Sequence, residues 1–360
     1  STTTQGEQAI SVDSTKPDVT IVDKNSSTPS NLEKTVDNGN VNIGDTVTYT
    51  VSFKTSNYDG AGPDAKKILS YTIEDTLPDF LENVTVQSII VDNDGDAGTT
   101  GDQTDVTTPF VEKKITIDWY DETNNHFLYD NGATVTIVYS AVVTDKAAID
   151  GDGNTNNVTL TWEKEGDPNP GKLEENETIY TYAIALKKVN EKGAALGGAV
   201  FELPFYVKET PDADGAYIYA GTNPGAGLIN RLTTPDDGVI TIKGVKKDTT
   251  YKITEVTAPA GYNKLLNPVT VTAVQTGKTN TQTVFYLDEN GNVVTQETVT
   301  KVEYVNDNIA AAAVLVVNKT GIALPFTGGM GTRIFYVAGS VLLIGAAVLL
   351  IVKKRMNAEK

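Results

Sequence analysis

Between residues 31 and 309, apolar and polar side chains alternate over short runs, as in DTVTYTVSF (45–53), KKITIDWY (113–120) and TVTIVYSAVV (134–143). A two-residue period rich in Val, Ile, Thr and Tyr predicts strands with one face buried. Clusters of Gly, Asp and Asn, such as DNDGDAG (92–98) and DGDGNTNN (150–157), separate these runs as turns. No amphipathic pattern of helical length precedes residue 330, so the body is predicted to be all-β. A polar break with two prolines, GDPNPGKLEENE (166–177), divides it into a first sandwich at 31–178 and a second at 179–309. Residues 1–30 are rich in Ser, Thr, Asp and Pro and read as a linker or the remnant of a preceding domain.

The pattern changes at the C-terminal end. Ile334 to Val352 carries no charge, and as a helix it would extend about 28 Å, enough to cross the hydrocarbon of a bilayer. A transmembrane helix is therefore predicted within 329–352. Lys353, Lys354 and Arg355 open the basic tail 353–360, which the positive-inside rule places in the cytoplasm. The polar start STTTQGEQAI has no secretory signal, so the chain is expected to be a processed or truncated form of an exported protein.

Composition narrows the chemistry. The net charge of −18 argues against nucleic acid as a partner. Cysteine is absent, which removes disulfides, thiol nucleophiles and thiolate zinc sites. A single histidine, His126, makes a Ser-His-Asp triad or a multi-histidine metal site an unpromising reading, and His126 itself reads as a loop residue. DNDGD (92–96) and DGDGN (150–154) resemble the opening of a calcium loop but lack its later glycine and glutamate. They read as turns, with a loose surface calcium site as the other reading. No metal and no cofactor is assigned, and no enzymatic constellation is found.

Upstream of the apolar run stands Leu324-Pro325-Phe326-Thr327-Gly328. Followed by an apolar span and a basic tail, it resembles the LPxTG sorting signal of Gram-positive surface proteins, with 310–328 as spacer and motif. The resemblance implies that a sortase cleaves between Thr327 and Gly328 and passes the Thr327 carboxyl to an amine. Membrane attachment would then last only until sorting. Pro325 keeps the pentapeptide extended, in keeping with this role.

Three segments of the second domain belong together: IALKKVNEKGAALGGAVFEL (184–203), YKITEVTAPAGY (251–262) and VEYVNDN (302–308). They resemble Cna B-type domains of Gram-positive pilins, whose members form an internal Lys–Asn isopeptide bond promoted by a glutamate. The resemblance carries these roles to Lys188, Asn306 and Glu255. Strand parity agrees, since Ile184, Leu186 and Lys188 share a face, as do Tyr251, Ile253 and Glu255, and Val302, Tyr304 and Asn306. Each polar group thus points where apolar ones point. An isolated buried charge is costly, so amine and acid are expected to be neutral. A buried Lys–Glu salt bridge with a hydrogen-bonded Asn is the alternative reading of the same residues.

The first domain resembles the other isopeptide-bearing sandwich of such pilins, through KTVDNGNVNIGDTVTYTV (34–51), YTIEDTLPDFL (71–81) and NTNNVTLTW (154–162). There the family uses an aspartate, which maps to Asp75. Asn156 shares a face with Val158, Leu160 and Trp162, so it rather than Asn157 is the expected partner. Lys34 is the expected lysine, with Lys24 its rival.

Taken together, the resemblance implies two tandem immunoglobulin-like β-sandwiches ahead of a sorting signal with a transmembrane helix. The expected function is that of a backbone or accessory subunit of a sortase-assembled pilus, with a monomeric wall-anchored adhesin as the alternative. Expected partners are sortase, other pilin subunits or peptidoglycan, and a host surface ligand. The expected location is the wall or pilus of a Gram-positive cell. Polymerising pilins offer a lysine to the sortase-bound threonine, usually in a motif ending in YPK. This chain lacks that motif, and Lys24 in VTIVDKN (19–25) is the candidate acceptor.

Overall fold

The computed structural model describes residues 28–94, 102–149, 152–273, 280–287, 293–301 and 314–320. The strands of the first domain are β1 (Ser30–Val36), β2 (Thr46–Lys54), β3 (Tyr58–Asp59), β4 (Lys66–Asp75), β5 (Leu81–Asp92), β6 (Gln103–Asp105), β7 (Lys114–Asp118), β8 (Tyr120–Asp121), β9 (His126–Phe127), β10 (Thr134–Val143), β11 (Asn154–Lys164) and β12 (Asp167–Ile179). Those that follow are β13 (Tyr182–Asn190), β14 (Val200–Lys208), β15 (Tyr217–Ile218), β16 (Leu228–Thr233), β17 (Val239–Val245), β18 (Thr250–Thr257), β19 (Val269–Thr272), β20 (Asn280–Leu287), β21 (Val293–Lys301) and β22 (Val314–Asn318). A single 3-10 turn, Gly62–Asp64, is the helical structure among the described residues.

In the first domain a sheet ordered β1-β2-β10-β5-β6 faces one ordered β12-β11-β4-β3, with β7 also paired to β4. The alternation read in the sequence is the burial pattern. Val47, Tyr49, Val51 and Phe53 of β2 and Val135, Ile137 and Tyr139 of β10 point inward from one sheet. Ile73 of β4 and Val158, Leu160 and Trp162 of β11 meet them from the other. The second domain repeats the plan with sheets β15-β17-β13-β22 and β16-β14-β18-β19, closed over Leu186, Phe201, Phe205, Ile240 and Ile253. β20 and β21 form a separate hairpin.

Two features differ from the sequence reading. Residues 166–177, read as a polar break, are regular structure. They form most of β12, antiparallel to β11 with Gly171 opposite Trp162 and Glu177 opposite Asn156. Their polarity suits an edge strand whose outer face is wet, and Pro168 and Pro170 are tolerated there because an edge need not donate every N–H. Gly171 is required because a Cβ at this position would overlap the Trp162 indole. The second difference is that the second domain runs past residue 309. β22 lies alongside β13 in parallel register, Lys188 opposite Val316 and Asn190 opposite Asn318.

The two sandwiches are joined through the loop after β1. Tyr180 N–H donates to Gly39 O (2.8 Å) and Val41 N–H to Tyr180 O (2.9 Å), while Ile43 N–H donates to Gly244 O (2.9 Å). Asn40 and Asn42 accept from the backbone N–H groups of Lys247 and Lys246, each at 2.8 Å, and Lys246 pairs with Asp45 at 2.9 Å. These bonds cross between domains and satisfy backbone groups that a flexible linker would leave to water.

Candidate functional site: two buried lysine–acid–asparagine clusters

In the second domain β13 carries Lys188 inward after Ile184 and Leu186, and β18 carries Glu255 inward after Tyr251 and Ile253. Lys188 is 0% and Glu255 1% exposed. Their Nζ and Oε1 atoms are 3.4 Å apart, and the Phe201 ring lies 5.9 Å from Nζ. Burial in these apolar surroundings holds the Lys188 amine down to about 8, against the opposing pull of Glu255.

The amide in this cluster belongs to Asn318. Asn306 lies outside the described residues, and the side chain that meets Lys188 comes from the end of β22. Lys188 Nζ donates to Asn318 Oδ1 and also to Val316 O at 3.3 Å. Asn318 Nδ2 donates to both Glu255 oxygens, at 3.0 and 3.2 Å. Leu265 N–H donates to Glu255 Oε2 at 2.7 Å, which fixes the carboxylate. The amine therefore sits at the carbonyl end of the amide and the acid at its nitrogen.

The first domain brings Lys34, Asp75 and Asn156 into one buried cluster, with Asp75 and Asn156 fully enclosed. Lys34 Nζ donates to Asp75 Oδ2 at 2.6 Å, and Leu77 N–H donates to Asp75 Oδ1 at 3.1 Å. Burial lowers the Lys34 amine below its ordinary range, with Asp75 and Glu177 pulling the other way. Two residues that pattern reading did not single out complete the cluster. Tyr139 of β10 donates its hydroxyl to Asp75 Oδ2 at 2.6 Å and accepts from Asn156 Nδ2 at 2.9 Å. Thr76 donates its hydroxyl to Asn156 Oδ1 at 3.0 Å. Inward parity on β10 was the available signal for Tyr139, since its polar tip needs a partner inside the core.

Lys24, the Leu324–Gly328 pentapeptide and the 334–352 apolar run lie outside the described residues. Among the described residues no helix is long and apolar enough to cross a membrane. In the acidic loop, carboxylate oxygens of Asp92, Asp94 and Asp102 lie within 4.8 Å of one another.

Comparison with known proteins gives a consistent picture. Residues 182–286 match the family described as SpaA, prealbumin-like fold domain. The chain is 25% identical over 365 aligned positions to the trypsin-resistant surface T6 protein of Streptococcus pyogenes serotype M6, covering 80% of this chain and 64% of that protein. It thus spans a little under two thirds of that relative's length. Among solved structures it is similar to the group B streptococcus pilus 2b backbone protein, at 26% identity and TM-score 0.55, covering 81% of this chain and 99% of the other. It also shares its fold with a 35 kDa C-terminal fragment of the major pilin GBS80 of Streptococcus agalactiae, at 18% identity and TM-score 0.50, with coverage of 81% and 99%.

Proposed function

We propose that this chain is a structural subunit of a sortase-assembled pilus, each sandwich locked by an intramolecular Lys–Asn isopeptide bond. The observation that carries this reading is the pair of enclosed lysine–acid–asparagine clusters. In the second domain the asparagine amide is held against both the amine and the acid, which a salt bridge alone would not call for. The likeness to a pilus backbone protein supports the same reading.

The chemistry proceeds without a cofactor. In the second domain a proton moves from the Lys188 ammonium to Glu255, leaving a neutral amine and a carboxylic acid, a transfer that the lowered amine basicity favours. The Nζ lone pair attacks Cγ of Asn318 and the Nζ–Cγ bond forms. Glu255 protonates Nδ2, the Cγ–Nδ2 bond breaks and ammonia leaves. The new amide nitrogen returns its surplus proton to Glu255. Lys34, Asp75 and Asn156 are the corresponding amine, acid and amide of the first domain. The chain acts on itself once and does not turn over.

The sorting signal at Leu324, Pro325, Phe326, Thr327 and Gly328 would make the chain a substrate of sortase, with Lys24 as the amine that accepts the preceding subunit's threonine. Final attachment would be to other subunits or to peptidoglycan on a Gram-positive surface, where the fibre would support adhesion to a host ligand. A denaturing-gel immunoblot of enzymatically released cell wall tests this. A ladder of regularly spaced, boiling-resistant bands, lost in Lys24→Ala, is expected. A single subunit-sized species would overturn the pilus reading in favour of a monomeric wall-anchored adhesin.

A further inference from the structure

The two clusters differ in how the acid reaches the amide. Glu255 touches Asn318 Nδ2 directly, whereas Asp75, one methylene shorter, meets Asn156 through the Tyr139 hydroxyl. We propose that Tyr139 is a catalytic residue of the first domain, relaying the proton from Asp75 to the departing nitrogen of Asn156. The proposal rests on the isopeptide reading given above.

The orientation of each group follows from its partners. Thr76 Oγ1 accepts from Asn157 N–H at 3.1 Å, which turns its own hydrogen toward Asn156 Oδ1. With the oxygen end of the amide held there, its nitrogen end is the one on Tyr139. The phenol ring is held on two sides. Tyr49 stacks on it at 5.3 Å, and Phe110 meets it edge-on at 5.3 Å. Burial and the neighbouring Asp75 raise the Tyr139 hydroxyl far above its usual range, so it rests as a protonated donor rather than a phenolate. Lys34 Nζ lies 5.2 Å from the Tyr49 ring centre and 5.9 Å from that of Tyr139, so amine, acid and phenol share one pocket.

The steps balance as follows. One proton passes from the Lys34 ammonium to Asp75, and the neutral amine attacks Cγ of Asn156. As the amide nitrogen loses its conjugation it becomes basic and takes the Tyr139 proton. Tyr139 takes the Asp75 proton in the same movement. The Cγ–Nδ2 bond breaks, ammonia departs, and the new amide nitrogen gives its surplus proton to Asp75. Tyr139 ends as it began, and the N···O contact that pointed toward the phenol before reaction carries the proton the other way during it.

The test is the rate of crosslinking in the full chain made by cell-free synthesis, sampled over time and followed by peptide mapping. The Lys34–Asn156 peptide reports the first bond, the Lys188–Asn318 peptide in the same sample reports that the second domain folds, and resistance of the first domain to limited proteolysis reports that it folds too. Tyr139→Phe keeps the ring and removes the relay, so the first bond should form about a hundredfold more slowly, the usual worth of a positioned proton donor, with the second unchanged. Equal rates in Tyr139→Phe and the natural chain would overturn the relay and leave the isopeptide reading standing. Failure of the natural chain to join Lys34 to Asn156 would instead overturn that reading and the relay with it. Should Tyr139→Phe fold poorly, a difluorinated tyrosine at position 139 packs alike but is more acidic. A changed first-bond rate is then expected, and an unchanged one refutes the relay.

Discussion

Replacing Asn318 by alanine isolates the second crosslink. The bond would span 130 positions, from Lys188 to Asn318. Restricting the unfolded chain over a loop of that length contributes about 5 kcal/mol in the chain-entropy picture. For a domain of this size each kcal/mol moves the melting temperature by about 3–4 °C, so Asn318→Ala should melt roughly 15 °C lower. Lys188 and Glu255 keep each other as partners in the variant, so no buried charge is left alone. The assay is intact mass with calorimetry on the same sample. The natural chain should be lighter than its sequence by one ammonia per bond, Asn318→Ala should regain one ammonia, and Asn306→Ala should regain none. If Asn306→Ala regains the ammonia and Asn318→Ala does not, the assignment of the amide is wrong.

Further outcomes follow from the same geometry. The neutral amine and protonated acid together hold as many protons as the resting ammonium–carboxylate pair, so crosslinking in the second domain should be flat with pH below about 8, where burial holds Lys188, and fall above it as the pair loses the proton Glu255 must deliver. A rate that climbs about tenfold per pH unit from pH 6 to 8 and stays high above pH 9 would contradict the transfer from Lys188 to Glu255. Thr76→Val removes the donor at Asn156 Oδ1 and should slow the first bond about tenfold, one hydrogen bond's worth at a developing oxyanion. Glu255→Ala should fold yet keep one ammonia more than the natural chain by intact mass. Gly171→Ala drives a methyl into the Trp162 indole and should cost about 1–3 kcal/mol by denaturant titration.

What the sequence showed and what it hid have physical reasons. Strands such as β2 and β10 were legible because one face is dry and the other wet, which forces the alternation. β12 was hidden because an edge strand with a solvated outer face has no such pattern to display. The family resemblance pointed to Lys34, Asp75, Asn156, Lys188 and Glu255, and parity agreed for those such as Asn156, Lys188 and Glu255 where an amide or charged group interrupts an apolar face. Parity could not choose between asparagines. VEYVN (302–306) and VLVVN (314–318) carry the same alternation and the same terminal residue. Pairing with β13 is seen for the second, while the first lies outside the described residues. Tyr139 escaped because an aromatic on a core face looks like packing until the opposite sheet brings Asp75 and Asn156 to its hydroxyl.

The crosslinks also define how load would travel along the chain. Tension entering at Lys34 would cross to Asn156, run through 157–187, then cross from Lys188 to Asn318 and leave toward Leu324. Between the two covalent loops lies only 157–187. Its β11–β12 hairpin would be pulled from its open end, where Asn156 faces Glu177, a geometry that breaks one hydrogen-bonded pair at a time. The interdomain joint guards that end, because Tyr180 is bound on both sides to Gly39 and Val41. Those two bonds must break before the hairpin can open. With about 30 residues at about 3.5 Å each, a fully crosslinked chain can lengthen by no more than about 100 Å between its anchor points. Asn318→Ala would release a further 130 residues, or about 450 Å. Single-molecule pulling between residues 28 and 320 should show the short extension in the natural chain and the long one added in the variant. A natural chain that released several hundred ångströms would show that load does not pass through these two bonds.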